Sequence, residues 1–152
     1  MVTVARSPKK IDLRKKFRFL YAASSKEVQV LDVPSIPFLM VDGKGDPASH
    51  EFQEAIQTLY TLSYTMKFGL KKRKRVDYPV MALEGLWWTE GLGDGFDPLS
   101  RDRWRWTLMM MQPDVVTAGV VGDAADEARK KGKSLRPFRL GRWYTPLSAS
   151  PR

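Results

Sequence analysis

Apolar and polar positions change their period several times along the chain, and each change marks an element. Residues 1–25 carry only one short helical pattern, over Ile11–Leu20, and end in Ala22-Ala23-Ser24-Ser25; they are read as an arm. Val28, Val30 and Val33 then predict a strand, broken by Pro34 and Pro37. Phe38–Val41 predict a second short strand, closed by the turn residues Asp42-Gly43-Lys44-Gly45. The best-marked element follows. Phe52, Ile56, Leu59, Ser63 and Met66 recur at helical spacing, with Ala55 and Leu62 beside them. Asp46 suits an N-cap, Pro47 the first helical position and Gly69 the stop, which predicts a helix over 47–68 with Lys71–Arg75 turning out of it.

Alternation returns in Asp77–Trp88, DYPVMALEGLWW, and again in Arg103–Gln112. In the second run Trp104, Trp106, Leu108 and Met110 share one face, and Arg105, Thr107, Met109 and Met111 the other. In the first, Tyr78, Val80, Ala82, Glu84, Leu86 and Trp88 face one way and Met81, Leu83, Gly85 and Trp87 the other. The two runs, joined by the Gly/Asp-rich loop 89–102, predict a hairpin. Thr117 can cap a second helix reaching Lys131, weakened by Gly119 and Gly122 at roughly 1 kcal/mol each relative to Ala. Leu135–Leu140 can start another strand, and 141–152 is read as an irregular tail. The order predicts an α+β fold, an antiparallel sheet with helices on one face. Its domain is expected at 26–140, after a basic arm at 1–25.

Composition narrows the chemistry. The chain has 152 residues, 43% of them apolar, enough for one core. No run approaches the roughly 20 apolar residues of a membrane span, and the first residues lack the apolar stretch of a secretory signal. There is no cysteine and only one histidine, His50. Disulfides, thiolate metal sites and multi-histidine metal sites are thereby excluded, so no metal or other cofactor is expected. A cytoplasmic location fits these counts. The net charge of +9 is concentrated: residues 1–18 sum to +6, Lys71–Arg75 to +5, and the remainder to −2. Such runs can meet phosphate. In the absence of any nucleic-acid-binding motif they are read as a solvated arm and a solubilising turn, and nucleic acid is not an expected partner.

Glu84 is the first candidate for chemistry. A carboxylate among aromatic residues is costly to desolvate, so its pKa should rise, which suits a general acid/base or a ligand acceptor. Aromatic density is the second feature. Trp87, Trp88, Trp104 and Trp106 lie on the paired strands, Tyr60 and Tyr64 one turn apart on the helix, and Met40, Met109 and Met111 add adaptable surface. Together with Glu84 they describe a pocket for flat aromatic ligands. Asp42-Gly43-Lys44-Gly45-Asp46 is a poor phosphate cradle, because its two carboxylates repel phosphate. His50, in the first helical turn, should be exposed.

Four blocks carry a family resemblance: FLMVDGKGDP, QEAIQTLYTLSYTMKF, DYPVMALEGLWW and WRWTLMMMQPDVVT, in this order. They resemble the GyrI-like small-molecule-binding family over about residues 17–140. They are most similar to its stand-alone members, some of which hydrolyse cyclopropanoid DNA-alkylating antibiotics. The resemblance implies two βαββ-type (SHS2) repeats about a pseudo-twofold axis, with a pocket between them lined by aromatics around a central Glu. Glu84 matches that Glu, Trp87 and Trp88 the paired aromatics, and Tyr64 the helix position. By this resemblance Glu84, Tyr64 and Trp88 are expected to serve the chemistry. Met40, Tyr60, Trp87, Trp106, Met109 and Met111 are expected to contact the ligand. The final RPFRLGRWYTPLSASPR departs from the family's EGxxxQxxHxGPY-like block, so the second repeat is expected to be incomplete and the chain truncated at its C-terminus. A homodimer could rebuild the two-repeat pocket. The expected function is binding of flat hydrophobic or cationic aromatic small molecules for sensing or sequestration. The alternative is a hydrolase that opens the cyclopropane of such toxins with Glu84 as acid/base.

Overall fold

Alternation in 104–111 puts the strand β5 (Trp104–Met111) at the centre of the molecule, because both of its faces are apolar enough to be covered. In the computed structural model, which describes residues 7–144, the chain first forms β1 (Lys9–Lys10) and two single turns, α1 (Leu13–Lys16) and α2 (Arg18–Tyr21). The strand β2 (Ile36–Lys44), the long helix α3 (His50–Arg73) and the short β3 (Val76–Asp77) follow. Then come β4 (Leu83–Thr89), β5, the helix α4 (Ala118–Lys130) and β6 (Arg139–Trp143). The main sheet runs β4-β5-β2-β6, each neighbour antiparallel, and β1 pairs separately with β3 in parallel. The expected α+β architecture is what is found, with both long helices on one face.

The period of two sorts the sheet residues cleanly. Leu39 and Val41 of β2, Trp106, Leu108 and Met110 of β5, and the partly buried Leu83 and Trp87 of β4 turn to the helices. There they meet Ala55, Leu59, Leu62, Met66 and Leu70 of α3 and Val121, Ala124 and Ala125 of α4. Ile36, Phe38, Met40, Met109 and Met111 turn the other way and are covered by Leu13, Met81, Phe17, Leu20 and Val33. Leu13, Phe17, Leu20 and Val33 thus make residues 11–33 a lid on the second face rather than a solvated arm.

Four expectations are corrected. Residues 28–33 form no strand: β5 and β6 occupy both edges of β2, and Val28 and Val30 stand 96% and 94% exposed. Helix α3 starts later than Pro47 and runs through Gly69. Its N-cap is Ser49, whose Oγ accepts from Phe52 N–H at 3.3 Å, while Asp46 Oδ1 accepts from Ala48 N–H at 2.8 Å in the preceding turn. Burial of Leu70 carries the helix past the glycine, and the helix ends where Lys74 N–H bonds Leu70 O and Arg75 takes a left-handed φ of 53°. Tyr78 lies outside β4 and is buried on the helix side, so it does not share a face with Glu84. Gly141–Trp143, assigned to the tail, belong to β6; residues 145–152 lie outside the described residues.

Two polar clamps fix what surrounds the sheet. Lys67 Nζ donates to Asp77 Oδ1 at 2.7 Å and to Tyr78 O, which anchors β3 to α3. Arg136 donates to Glu51 at 3.0 Å and Glu54 at 3.2 Å, while its backbone N–H reaches Thr58 Oγ at 3.0 Å; this ties the approach to β6 onto α3. Among the described residues no helix is long and apolar enough to cross a membrane.

Candidate functional site

Glu84 pairs with Met109 across β4 and β5, so its side chain stands on the face away from the long helices. The N-terminal lid does not close completely over that position. It leaves a cleft of about 220 Å³ between Tyr21, Leu31 and Val33 of the lid and Glu84, Leu86, Met109 and Met111 of the sheet, with Trp143 of β6 at its border. Glu84 is the only ionisable carboxyl in this lining; everything else but the Tyr21 phenol is apolar or backbone.

The phenol and the carboxyl are coupled. Tyr21 O–H donates to Glu84 Oε2 at 3.2 Å. Burial pushes Glu84 above the ordinary carboxylate range, and the Tyr21 hydrogen bond opposes that shift by favouring the ionised form. Tyr21 is pushed up to about 12, first by burial and then by the Glu84 charge and hydrogen bond. Tyr21 therefore stays a donor at neutral pH, and Glu84 is a carboxyl whose protonation changes at higher pH than an exposed one. A half-buried acid of raised pKa in an apolar cleft can take a proton from water or hold a hydrogen-bonding or cationic ligand.

The structure brings together part of the expected set. Met109 and Met111 line the cleft with Glu84. Met40 is on the same face one strand further, paired with Met109 and Arg139. Trp88 also shares the face, but it pairs with Arg105, four residues along β4, or about 13 Å from Glu84. It borders a separate shallow cleft with Asp42, Lys44 and Arg105. Trp87 and Trp106 are cross-strand partners on the helix face. Phe52 packs on both, edge-on to Trp106 at 5.2 Å and tilted to Trp87 at 5.7 Å. Trp87 and Trp106 are thus core residues, with the sheet between them and Glu84. Tyr60 and Tyr64 lie on α3, also beyond the sheet, so neither forms a wall around Glu84. His50 is exposed and pairs with Glu54 at 3.0 Å.

Sequence reasoning missed Tyr21, Leu31, Val33 and Trp143. Tyr21 sits on a single helical turn after a basic run, and nothing in its neighbours marks it; only the crossing of the lid over β4 brings it to a residue 63 positions away. Among the described residues no group of three or more His, Asp or Glu side chains is placed to hold a metal ion.

No protein-family model matches the chain, and no curated protein matches it. Solved structures do. A crystal structure of an uncharacterised conserved protein from Listeria innocua superposes with a TM-score of 0.78 at 40% identity, covering 88% of this chain and 67% of that one. A hydrolase from Listeria innocua gives 0.77 at 41%, covering 90% and 67%. A further crystal structure of a hydrolase from that organism gives 0.73 at 37%, covering 88% and 66%. The chain thus spans about two thirds of the length of these proteins, and across that span it belongs to their family, which includes proteins described as hydrolases.

Proposed function

We infer that the cleft around Glu84 takes up a flat, hydrophobic small molecule and that Glu84 promotes addition of water to it. The observation that carries this reading is the single half-buried carboxyl of raised pKa, held by the Tyr21 hydroxyl in an otherwise apolar cleft. Support comes from the hydrolase description of the Listeria proteins and from the resemblance of four sequence blocks to the GyrI-like family, some of whose stand-alone members open cyclopropanoid toxins.

In this reading the apolar walls hold the ring system, with Met109 and Met111 adapting to its outline. The Glu84 carboxylate accepts a proton from water. The water oxygen bonds to an electrophilic ring carbon, the strained C–C bond breaks, and its electron pair moves into the conjugated carbonyl. That carbonyl oxygen then takes a proton, so the net change is one added water. Tyr21 orients the carboxylate. A second reading, sequestration without turnover, needs only the walls and is favoured by the same apolar lining.

Hydrolysis of a planar cyclopropane-bearing compound, followed across pH by product formation, tests the assignment. The base form of Glu84 is the active one, so kcat should fall on the acid side with an inflection above 4.5, the usual glutamate value. Tyr21→Phe removes a donor that favours the carboxylate, so its acid limb should move to higher pH. An unmoved limb, or no product at any pH, overturns the hydrolytic reading.

A further inference from the structure

The fold joins two basic segments that are far apart in sequence. Lys9 and Lys10 pair with Val76 and Asp77, and Lys9 N–H donates to Arg75 O at 2.8 Å. Lys9 and Lys10 therefore lie beside the residues that follow α3, whereas residues 14–18 belong to the lid on the other sheet face. Residues 9–18 carry six basic side chains and one acid, and residues 71–77 five basic side chains and one acid. Lys9, Lys10 and residues 71–77 together hold seven basic side chains and one acid. The charge is also incompletely compensated. Lys71 meets Asp77 at 3.5 Å and Arg73 meets Glu127 at 3.7 Å, but Lys9, Lys10, Lys72 and Lys74 form no salt bridge among the described residues.

A row of aromatic rings leads into this patch. Tyr60, Tyr64 and Phe68 follow at i, i+4 along α3 with ring centroids 6.3 and 6.1 Å apart and planes within 24°. Lys72 is the next residue of the same stripe. Tyr64 and Phe68 are 45% and 59% exposed, an unusual position for two large rings side by side. They border a concave groove of about 560 Å³ between α3 and α4 that also contains Lys72, Arg73, Lys131 and one acid, Glu127.

We propose that this groove and the β1 segment beside the end of α3 bind single-stranded nucleic acid, with bases on Tyr64 and Phe68 and phosphates on Lys9, Lys10, Lys72 and Lys74. Aromatic faces beside cations match the two halves of a nucleotide. The concave groove between two helices suits a flexible strand better than a flat bilayer or the stacked interior of a duplex. The groove lies across the main sheet from Glu84.

Fluorescence anisotropy with labelled dT20 tests the proposal on the wild-type chain. Four phosphate contacts on a single strand, with a log–log slope of about −2.8, should weaken binding about 20-fold between 50 and 150 mM salt. K9E/K10E/K72E/K74E should lose at least about tenfold in affinity at low salt. Y64A/F68A should lose about fivefold or more while keeping most of the salt dependence. All six side chains are exposed, and thermal melts check that the variants fold. If a variant fails to fold, the wild-type salt dependence still decides. No binding of dT20 at 50 mM salt overturns the proposal. So does a Y64A/F68A affinity equal to wild type, a preference for duplex DNA of the same length, or tighter binding to phosphatidylserine vesicles.

Discussion

Glu84→Gln is expected to slow hydrolysis by about 10²–10⁴-fold, the range for loss of a general acid/base, while leaving the Kd of the same compound nearly unchanged. The substitution keeps shape and an oxygen that can accept the Tyr21 O–H at its present 3.2 Å. It removes only the ability to take a proton from water. Equal loss of binding and turnover would instead make Glu84 a ligand contact and favour sequestration. The same substitution has a consequence for stability with a definite sign. Glu84 has a higher pKa folded than unfolded, because burial disfavours its charge. The stabilisation linked to the protonated form is complete below the unfolded value of about 4.5 and is lost as pH rises through the folded value. Glu84→Gln escapes that loss, so its Tm relative to wild type should be higher at pH 7 than at pH 4. A site that is more stable without its acid fits a group retained for function.

Gly43→Ala should be the most damaging single-atom change in the sheet. A Cβ at Gly43 would stand 2.0 Å from Cη2 of Trp106, its cross-strand partner, and 2.3 and 2.5 Å from two further ring atoms. Trp106 cannot swing away without cost: it is fully buried, donates Nε1–H to Gly45 O at 3.3 Å and packs edge-on against Phe52. Either the ring or the central strand β2 must move. A loss of about 3 kcal/mol, at the upper end of overpacking, corresponds to roughly 10 °C in Tm for a chain of this size. Gly122→Ala is the matched control. It sits within α4 with nothing within 4 Å of the added carbon and should raise stability by about 0.5–1 kcal/mol. A Gly43→Ala melt indistinguishable from wild type would mean that Trp106 is not locked in place as described.

Periodicity carried most of the fold. The alternation in 104–111, the hairpin with 83–89 and the capped α4 with Thr117 at its N-cap all follow from local pattern, because each element's own residues decide its face. What local pattern could not convey is competition for partners. Val28, Val30 and Val33 alternate as a strand would, yet both edges of β2 are taken, so the segment crosses the sheet face instead. Gly69 reads as a stop, yet burial of Leu70 outweighs it. The site was legible in the same partial way. Glu84, Met109 and Met111 line one cleft because their strand positions fix which face they occupy. Trp87 and Trp106 were grouped with them by residue type, although the period of two already separates odd from even positions of β4. Tyr21 depends on a tertiary crossing of 63 residues, and no local signal encodes it.

The most direct test of the central claim uses the methionines as reporters in a ¹³C-methyl NMR titration with a planar aromatic compound such as ethidium. Met109 and Met111 face the cleft, while Met110 between them and Met66 on α3 lie in the core on the opposite side of the sheet. Binding beside Glu84 should move Met109 and Met111 and leave Met110 and Met66 almost still. Shifts led by Met66 and Met110, or no shift at any methionine, would contradict the account.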